Sequence, residues 1–102
     1  MSDRSVVDER VVQRYQDITM ELMGLVLHQV FDPARVEIVN QSSQHKGHQE
    51  AMRQPLKGHF TLYMTCSSVQ TMQRVKQHRT IYHALRGLMH RIHALSLSVN
   101  TV

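Results

Sequence analysis

The chain has 102 residues, of which 41% are hydrophobic and 20% are charged, and its single cysteine, Cys66, cannot form an internal disulfide. This composition is typical of one folded domain, excludes a disulfide-stapled secreted scaffold, and favours a reducing compartment, the cytoplasm or the mitochondrial matrix. No apolar run approaches the roughly 20 residues that span a bilayer, and the acidic N-terminus is unlike a secretory signal, so we expect no membrane partner. All eight acidic residues precede position 51, whereas residues 51–102 carry seven basic residues and no acidic one.

The first predicted element is a long amphipathic helix. Apolar residues recur at steps of three and four, which predicts one buried face formed by Val7, Val11, Tyr15, Ile18, Leu22 and Leu25. Ser2 and Asp3 are the expected N-terminal caps. The helix is expected to end at Asp32-Pro33, because a proline cannot continue the helical hydrogen-bond ladder.

Strands and a second helical segment follow. Alternation of apolar and polar residues predicts strands over 36–41, 60–65 and 93–99, and the polar stretch from 42 to about 57 predicts a loop. Helical periodicity returns over 69–92, where one apolar face is formed by Ile81, Leu85, Leu88 and Ile92. The order helix, strand, strand, helical segment, strand indicates an α+β domain with a small three-stranded sheet covered on one face.

Histidines make metal binding the first chemistry to consider, since the chain contains eight of them. His45 and His48 lie in the predicted loop, but closed zinc sites use a second matched ligand pair, so solvated loop histidines are the alternative. His93 opens the last strand, where a partly buried histidine at the edge of the core is the alternative to a ligand. His59 and His78 are expected to have structural roles.

A basic stripe on the second helical segment is the other candidate site. Its residues recur at steps of three and four, namely Lys76, Arg79, His83, Arg86 and His90. Such a stripe could neutralise nucleic-acid phosphates, bind an acidic protein or remain solvated. The sequence contains no nucleophile elbow, phosphate loop or paired-carboxylate motif, so we expect the protein not to be an enzyme.

Several segments together resemble the BolA-like family in order and spacing. The most specific are His78-Arg79-x-x-Tyr82 and His93-Ala94-Leu95, and the loop His45-Lys46-Gly47-His48 and Gly58-His59-Phe60 also match. The resemblance implies an αββααβ fold with a three-stranded mixed sheet and helices on one face, similar to the class II KH fold. On this interpretation residues 1–17 extend the first helix and residues 18–102 form the BolA-like domain.

The resemblance also implies a function. BolA-like proteins bind a monothiol glutaredoxin and share a [2Fe-2S] cluster with it and its glutathione, in iron–sulfur cluster trafficking or iron regulation. Here His93 would supply one ligand and His45, or the competing His48, the second, whereas Cys66 would only pack in the core. The isolated protein is expected to be a cofactor-free monomer that forms a heterodimer with its partner. Some bacterial members are described as transcriptional regulators, so nucleic-acid binding by the basic stripe is the alternative.

Overall fold

The computed structural model describes residues 8–45 and 54–100, so the predicted caps Ser2 and Asp3 and the loop residue His48 lie outside the described residues. The elements in chain order are α1 (Glu9–Val30), β1 (Arg35–Asn40), a first 3-10 helix (Ser42–His45), β2 (Gly58–Thr65), α2 (Ser67–Gln70), α3 (Arg74–Ala84), a second 3-10 helix (Arg86–Arg91) and β3 (Ile92–Asn100). The order of helices and strands is that of the predicted αββααβ fold, and it is compatible with the class II KH resemblance.

Helix α1 begins later than the sequence predicted. Asp8 is the N-cap, and its carboxylate accepts a hydrogen bond of 2.8 Å from the backbone N–H of Arg10. Asp8 therefore provides the side-chain acceptor at the start of the described helix, and the predicted caps Ser2 and Asp3 lie outside the described residues. Hydrogen bonds from the backbone and side chain of Arg10 hold the pKa of Asp8 below its ordinary value. The helix ends at Val30, shortly before Pro33, as predicted.

The buried face of α1 also differs from the prediction. Val11 and Leu25 are 54% and 67% exposed, and the buried residues are instead Gln16, Thr19, Met23 and Leu27. Apolar residues cover more than half of the helix circumference, so their periodicity does not select one face. Packing against the rest of the domain selects it, and the polar Gln16 and Thr19 are tolerated because both are hydrogen-bonded.

The three strands form one mixed sheet in the order β1-β2-β3. Strand β1 is antiparallel to β2, whereas β3 is parallel to β2, which confirms the predicted mixed sheet. The pairs Asn40–Phe60 and Gly58–Ile92 show that the end of β1 and the starts of β2 and β3 meet at the same end of the sheet.

The core lies on one face of this sheet. Strand β2 contributes Phe60, Leu62 and Met64, which are 2%, 0% and 1% exposed. The helices and the remaining segments contribute Met23, Leu27, Phe31, Cys66, Val69, Ile81, Leu85 and Ile92. Cys66 follows β2 directly and is buried, which agrees with a packing role.

The helical segment predicted over 69–92 is divided into three pieces. Helix α2 ends at Gln70, α3 ends at Ala84, and the second 3-10 helix leads directly into β3 at Ile92. Helical structure over this range is confirmed, but apolar spacing does not record where one helix ends or where the α-helix changes to the tighter 3-10 geometry. No helix within the described ranges has the length and apolar character needed to cross a membrane.

Candidate metal centre

His93, the predicted ligand on the last strand, lies at an irregularity in the sheet. Gly58 pairs with Ile92, but the next residue of β2, His59, pairs with Ala94. His93 therefore has no directly paired residue on β2, as in a β-bulge, and bulges turn side chains out of the regular alternation. Its side chain is half-buried, so part of the imidazole is open to solvent or to a partner.

The imidazole of His59 packs against that of His93. The two ring centroids are 4.7 Å apart and the ring planes make an angle of 70°, an edge-to-face arrangement. His59 is only 8% exposed.

The segment that leads to His45 is attached to the backbone of His59. The N–H of Gln41 donates to the His59 carbonyl at 2.7 Å, and the His59 N–H donates to Ser42 Oγ at 3.0 Å. The hydroxyl of Thr61 in β2 donates to Gln41 Oε1 at 2.7 Å. The first 3-10 helix starts at Ser42 and ends at His45, so the backbone of this predicted ligand follows an anchored position closely.

A chain of hydrogen bonds connects this anchor to α1. The Gln16 side chain donates to the Pro55 carbonyl at 3.4 Å and accepts from Asn40 Nδ2 at 3.0 Å. Asn40 Oδ1 in turn accepts from the N–H of Ser42 at 2.9 Å and from its hydroxyl at 2.6 Å. Both ends of the buried Gln16 amide are therefore satisfied, and the end of β1 and Pro55 are held against the helix.

Arg91 holds the segment that leads into β3. Its Nε donates to Thr19 Oγ1 at 2.9 Å and its Nη2 donates to the Tyr15 carbonyl at 3.2 Å. The guanidinium carbon lies 3.9 Å from the centroid of the Tyr15 ring, in a cation–π arrangement. This half-buried arginine fixes the second 3-10 helix to α1, directly before the strand that carries His93.

Tyr82 connects α3 to the same strand. Its hydroxyl donates to the Leu95 carbonyl at 2.6 Å. His78, from the same His-Arg-x-x-Tyr segment, is half-buried, whereas Arg79 is exposed. The tyrosine of this motif therefore has a structural role, because it fixes α3 to the strand two residues after His93.

An apolar groove of about 430 Å³ lies between α1 and the segments that precede β2 and β3. It is lined by Val11 and Tyr15 of α1, by residues 54–57 before β2, and by His90 of the second 3-10 helix. The first turns of α1 thus form one wall of the groove, and the segments that enter β2 and β3 form the other.

The predicted basic stripe does not lie on one helix. Lys76, Arg79 and His83 are on α3, whereas Arg86 and His90 are on the second 3-10 helix. Arg86 Nη1 donates to the His83 carbonyl at 2.7 Å, and His90 lines the groove. Of the five residues of the stripe, only Lys76, Arg79 and His83 lie together on α3, and all three are exposed.

Comparison with known proteins shows the family. Residues 27–102 match the family model described as BolA-like protein. The chain belongs to the BolA-like family. It is 33% identical over 72 residues to an uncharacterized protein in the cobS 5′ region of Sinorhizobium sp, a match that covers 70% of this chain and 77% of the relative. The match to the family model begins within α1, and the extension predicted over residues 1–17 stays a prediction.

Solved structures of BolA domains have the same fold. The BolA domain of SufE1 from Arabidopsis thaliana is 32% identical to this BolA-like chain, with a TM-score of 0.64 over 79% of this chain and 88% of that one. BolA1 from Arabidopsis thaliana is 30% identical, with the same TM-score and coverage. A bol-like protein from Babesia bovis is 16% identical with a TM-score of 0.61 over 79% and 81% of the two chains, a likeness in fold alone.

Sequence reasoning did not identify three features of this BolA-like site: the irregular pairing at His93, the ring contact with His59, and the bond between Asn40 and Gln16. Gly58 could have indicated the irregular pairing at His93, because an isolated glycine in a strand is typical of a bulge or of a close approach between backbone segments. A Cβ placed on Gly58 would overlap the Phe60 ring. The other two contacts join residues that are distant in sequence, and no local pattern indicates them.

Proposed function

We propose that this BolA-like protein is a non-enzymatic adaptor that binds a monothiol glutaredoxin and co-ligates a [2Fe-2S] cluster through His93 and a loop histidine. The observation that carries the proposal is the half-buried His93 at an irregular strand position, at the end of the sheet where the segment that leads to His45 is hydrogen-bonded to His59. Its role would be iron–sulfur cluster trafficking or iron regulation in a reducing compartment, the cytoplasm or the mitochondrial matrix.

The residues present fit a shared cluster. An imidazole nitrogen is a neutral ligand for iron, and His93 is open on one side while its ring is held by His59 on another. Among the described residues no group of three or more His, Cys, Asp or Glu side chains is placed to hold a metal ion. The glutaredoxin and its glutathione would supply the thiolates. When bound, a cluster with imidazole in place of thiolate has a raised reduction potential.

In this proposal the protein holds its ligand histidines in a fixed orientation for the partner. Arg91 holds the segment before His93, and Tyr82 holds the strand after it. Ser42 and Gln41 hold the start of the segment that leads to His45. Ligands that are oriented before binding lose less conformational freedom when the complex forms, which favours affinity.

Titration with a cluster-loaded monothiol glutaredoxin tests the proposal. We expect the wild-type protein to change the visible absorption and circular dichroism of the cluster, and His93→Ala to abolish the change. His28→Ala is the matched control, because it removes an exposed imidazole in the last turn of α1 and should leave the change intact. His45→Ala and His48→Ala then identify the loop ligand. A wild-type spectral change with His93→Ala would refute the ligand assignment.

The exposed cations of α3 favour nucleic acid as the second candidate partner. Lys76 and Arg79 have no carboxylate partner among the described residues, and they lie one turn apart on the same helix. Such a face would bind phosphates with an affinity that falls steeply with salt. Lys76→Ala with Arg79→Ala should then weaken DNA binding and flatten its salt dependence. Absence of DNA binding by the wild-type protein at low salt would eliminate this candidate.

A further inference from the structure

We infer, on the basis of the proposed function, that His59 is a positioning residue that sets the geometry between His93 and the loop histidine. His59 is not one of the proposed ligands. It is instead the one residue described here whose ring contacts His93 and whose backbone is bonded to the segment leading to His45. The inference concerns how the two ligands are held relative to each other.

The side chain of His59 acts on His93. With ring centroids 4.7 Å apart at an angle of 70°, the His59 ring occupies the space into which the His93 ring would otherwise rotate. His93 has no directly paired residue on β2, so the His59 ring provides a contact from that strand that limits its rotation. His59 is itself 8% exposed and cannot swing aside without opening the packing around it.

The backbone of His59 acts on the loop. Its carbonyl accepts from Gln41 at 2.7 Å and its N–H donates to Ser42 at 3.0 Å, so both of its main-chain polar groups bind the junction between β1 and the first 3-10 helix. Asn40 secures Ser42 from the other side through two further hydrogen bonds. A displacement of His59 would therefore move the start of the loop and the support of His93 together.

His59 itself is less suited to bind a partner's cluster than His93. His59 is buried and its ring contacts the His93 ring edge to face, whereas His93 is half-buried. Replacing a residue that contacts and orients a metal ligand, without binding the metal itself, typically lowers metal affinity by about 10- to 100-fold. We expect an effect of that size on the affinity for cluster-loaded glutaredoxin when the His59 ring is removed.

The first test uses the protein without a cluster. His59→Ala should shift and broaden the nuclear magnetic resonance signals of the His93 ring nitrogens, and His59→Phe, which keeps an aromatic ring at this place, should restore a single sharp set. Far-UV circular dichroism and the signals of buried Phe60 establish that both variants are folded. His93 signals in His59→Ala that equal those of the wild type would overturn the inference, and so would a His59→Phe variant that behaves like His59→Ala.

The second test uses the complex. His59→Ala should weaken binding of cluster-loaded glutaredoxin about 10- to 100-fold and change the visible circular dichroism, and His59→Phe should recover both. Ser42→Ala removes the hydroxyl that accepts from the His59 N–H but keeps both rings and the Gln41–His59 bond, so it should alter the dichroism while the His93 ring signals stay unchanged. Wild-type dichroism in Ser42→Ala would overturn the loop half of the inference. The cluster-free experiment decides positioning by itself, whereas His93→Ala decides the proposed function, so the two failures are distinguishable.

Discussion

Gly58→Ala places a methyl group where the structure has no room for one. A Cβ at this position would overlap the ring of Phe60, two residues further along β2. Phe60 is 2% exposed and packs in the centre of the core, so its ring cannot move into solvent to relieve the overlap. The variant must shift either the ring or the backbone at the irregular pairing beside His93.

The expected cost follows from the overpacking of a well-packed core. Inserting one methyl group there destabilises a protein by about 1–3 kcal/mol. For a domain of this size, each kcal/mol lowers the melting temperature by roughly 4–8 °C. We expect Gly58→Ala to fall within this range, and the amide signal of His93 to move because Gly58 pairs with the preceding residue, Ile92.

Urea unfolding measures the effect, and Gly24→Ala is the matched control. Gly24 lies inside α1, and a Cβ there would meet no atom within 4 Å. The same added methyl should therefore stabilise the protein by about 0.5–1 kcal/mol, since alanine favours a helix interior over glycine. A second background, Phe60→Leu, reduces the side chain that causes the overlap, and the cost of Gly58→Ala should be smaller there.

Two results would refute this reasoning. One is a free energy of unfolding for Gly58→Ala within about 0.5 kcal/mol of the wild type, the range of an ordinary surface substitution. The other is an equal cost of Gly58→Ala with Phe or Leu at position 60, which would show that the ring is not the source of the strain.

Three further predictions concern single contacts. Tyr82→Phe removes the hydroxyl that donates to Leu95 at 2.6 Å, which should lower the free energy of unfolding in urea by about 1 kcal/mol; an unchanged midpoint would contradict this. Arg91→Lys keeps the charge but loses the planar fork, and its cost should be about 1–2 kcal/mol; wild-type stability in this variant would show that charge alone suffices. The pKa of Asp8 is lowered by its bonds with Arg10, so its stabilising effect on α1 is present above the ordinary carboxyl pKa and is lost as pH falls through the lowered value. The Arg10 amide signal should report this titration, and Asp8→Ala should abolish it; an Arg10 signal that does not move on acidification would rule it out.

The amino-acid sequence by itself determined the order and type of most elements. Alternation over 36–41 and 60–65 predicted β1 and β2, and Pro33 predicted where α1 ends. These features depend on neighbouring residues, because side-chain period and backbone restrictions act over a few positions. Several short segments together, among them His-Arg-x-x-Tyr and His-Ala-Leu, likewise indicated the BolA-like family, which the family model confirms.

Only the tertiary structure decided which surfaces these elements use. Periodicity placed Val11 and Leu25 on the buried face of α1, but both are exposed, since packing against the rest of the domain selects the face. The same applies to the candidate metal centre: His59 and His93 were separate residues in the sequence, and the parallel pairing of β2 with β3 brings their rings together. Contacts of this kind join distant parts of the chain. They depend on how whole elements pack, so the local pattern of residues does not predict them.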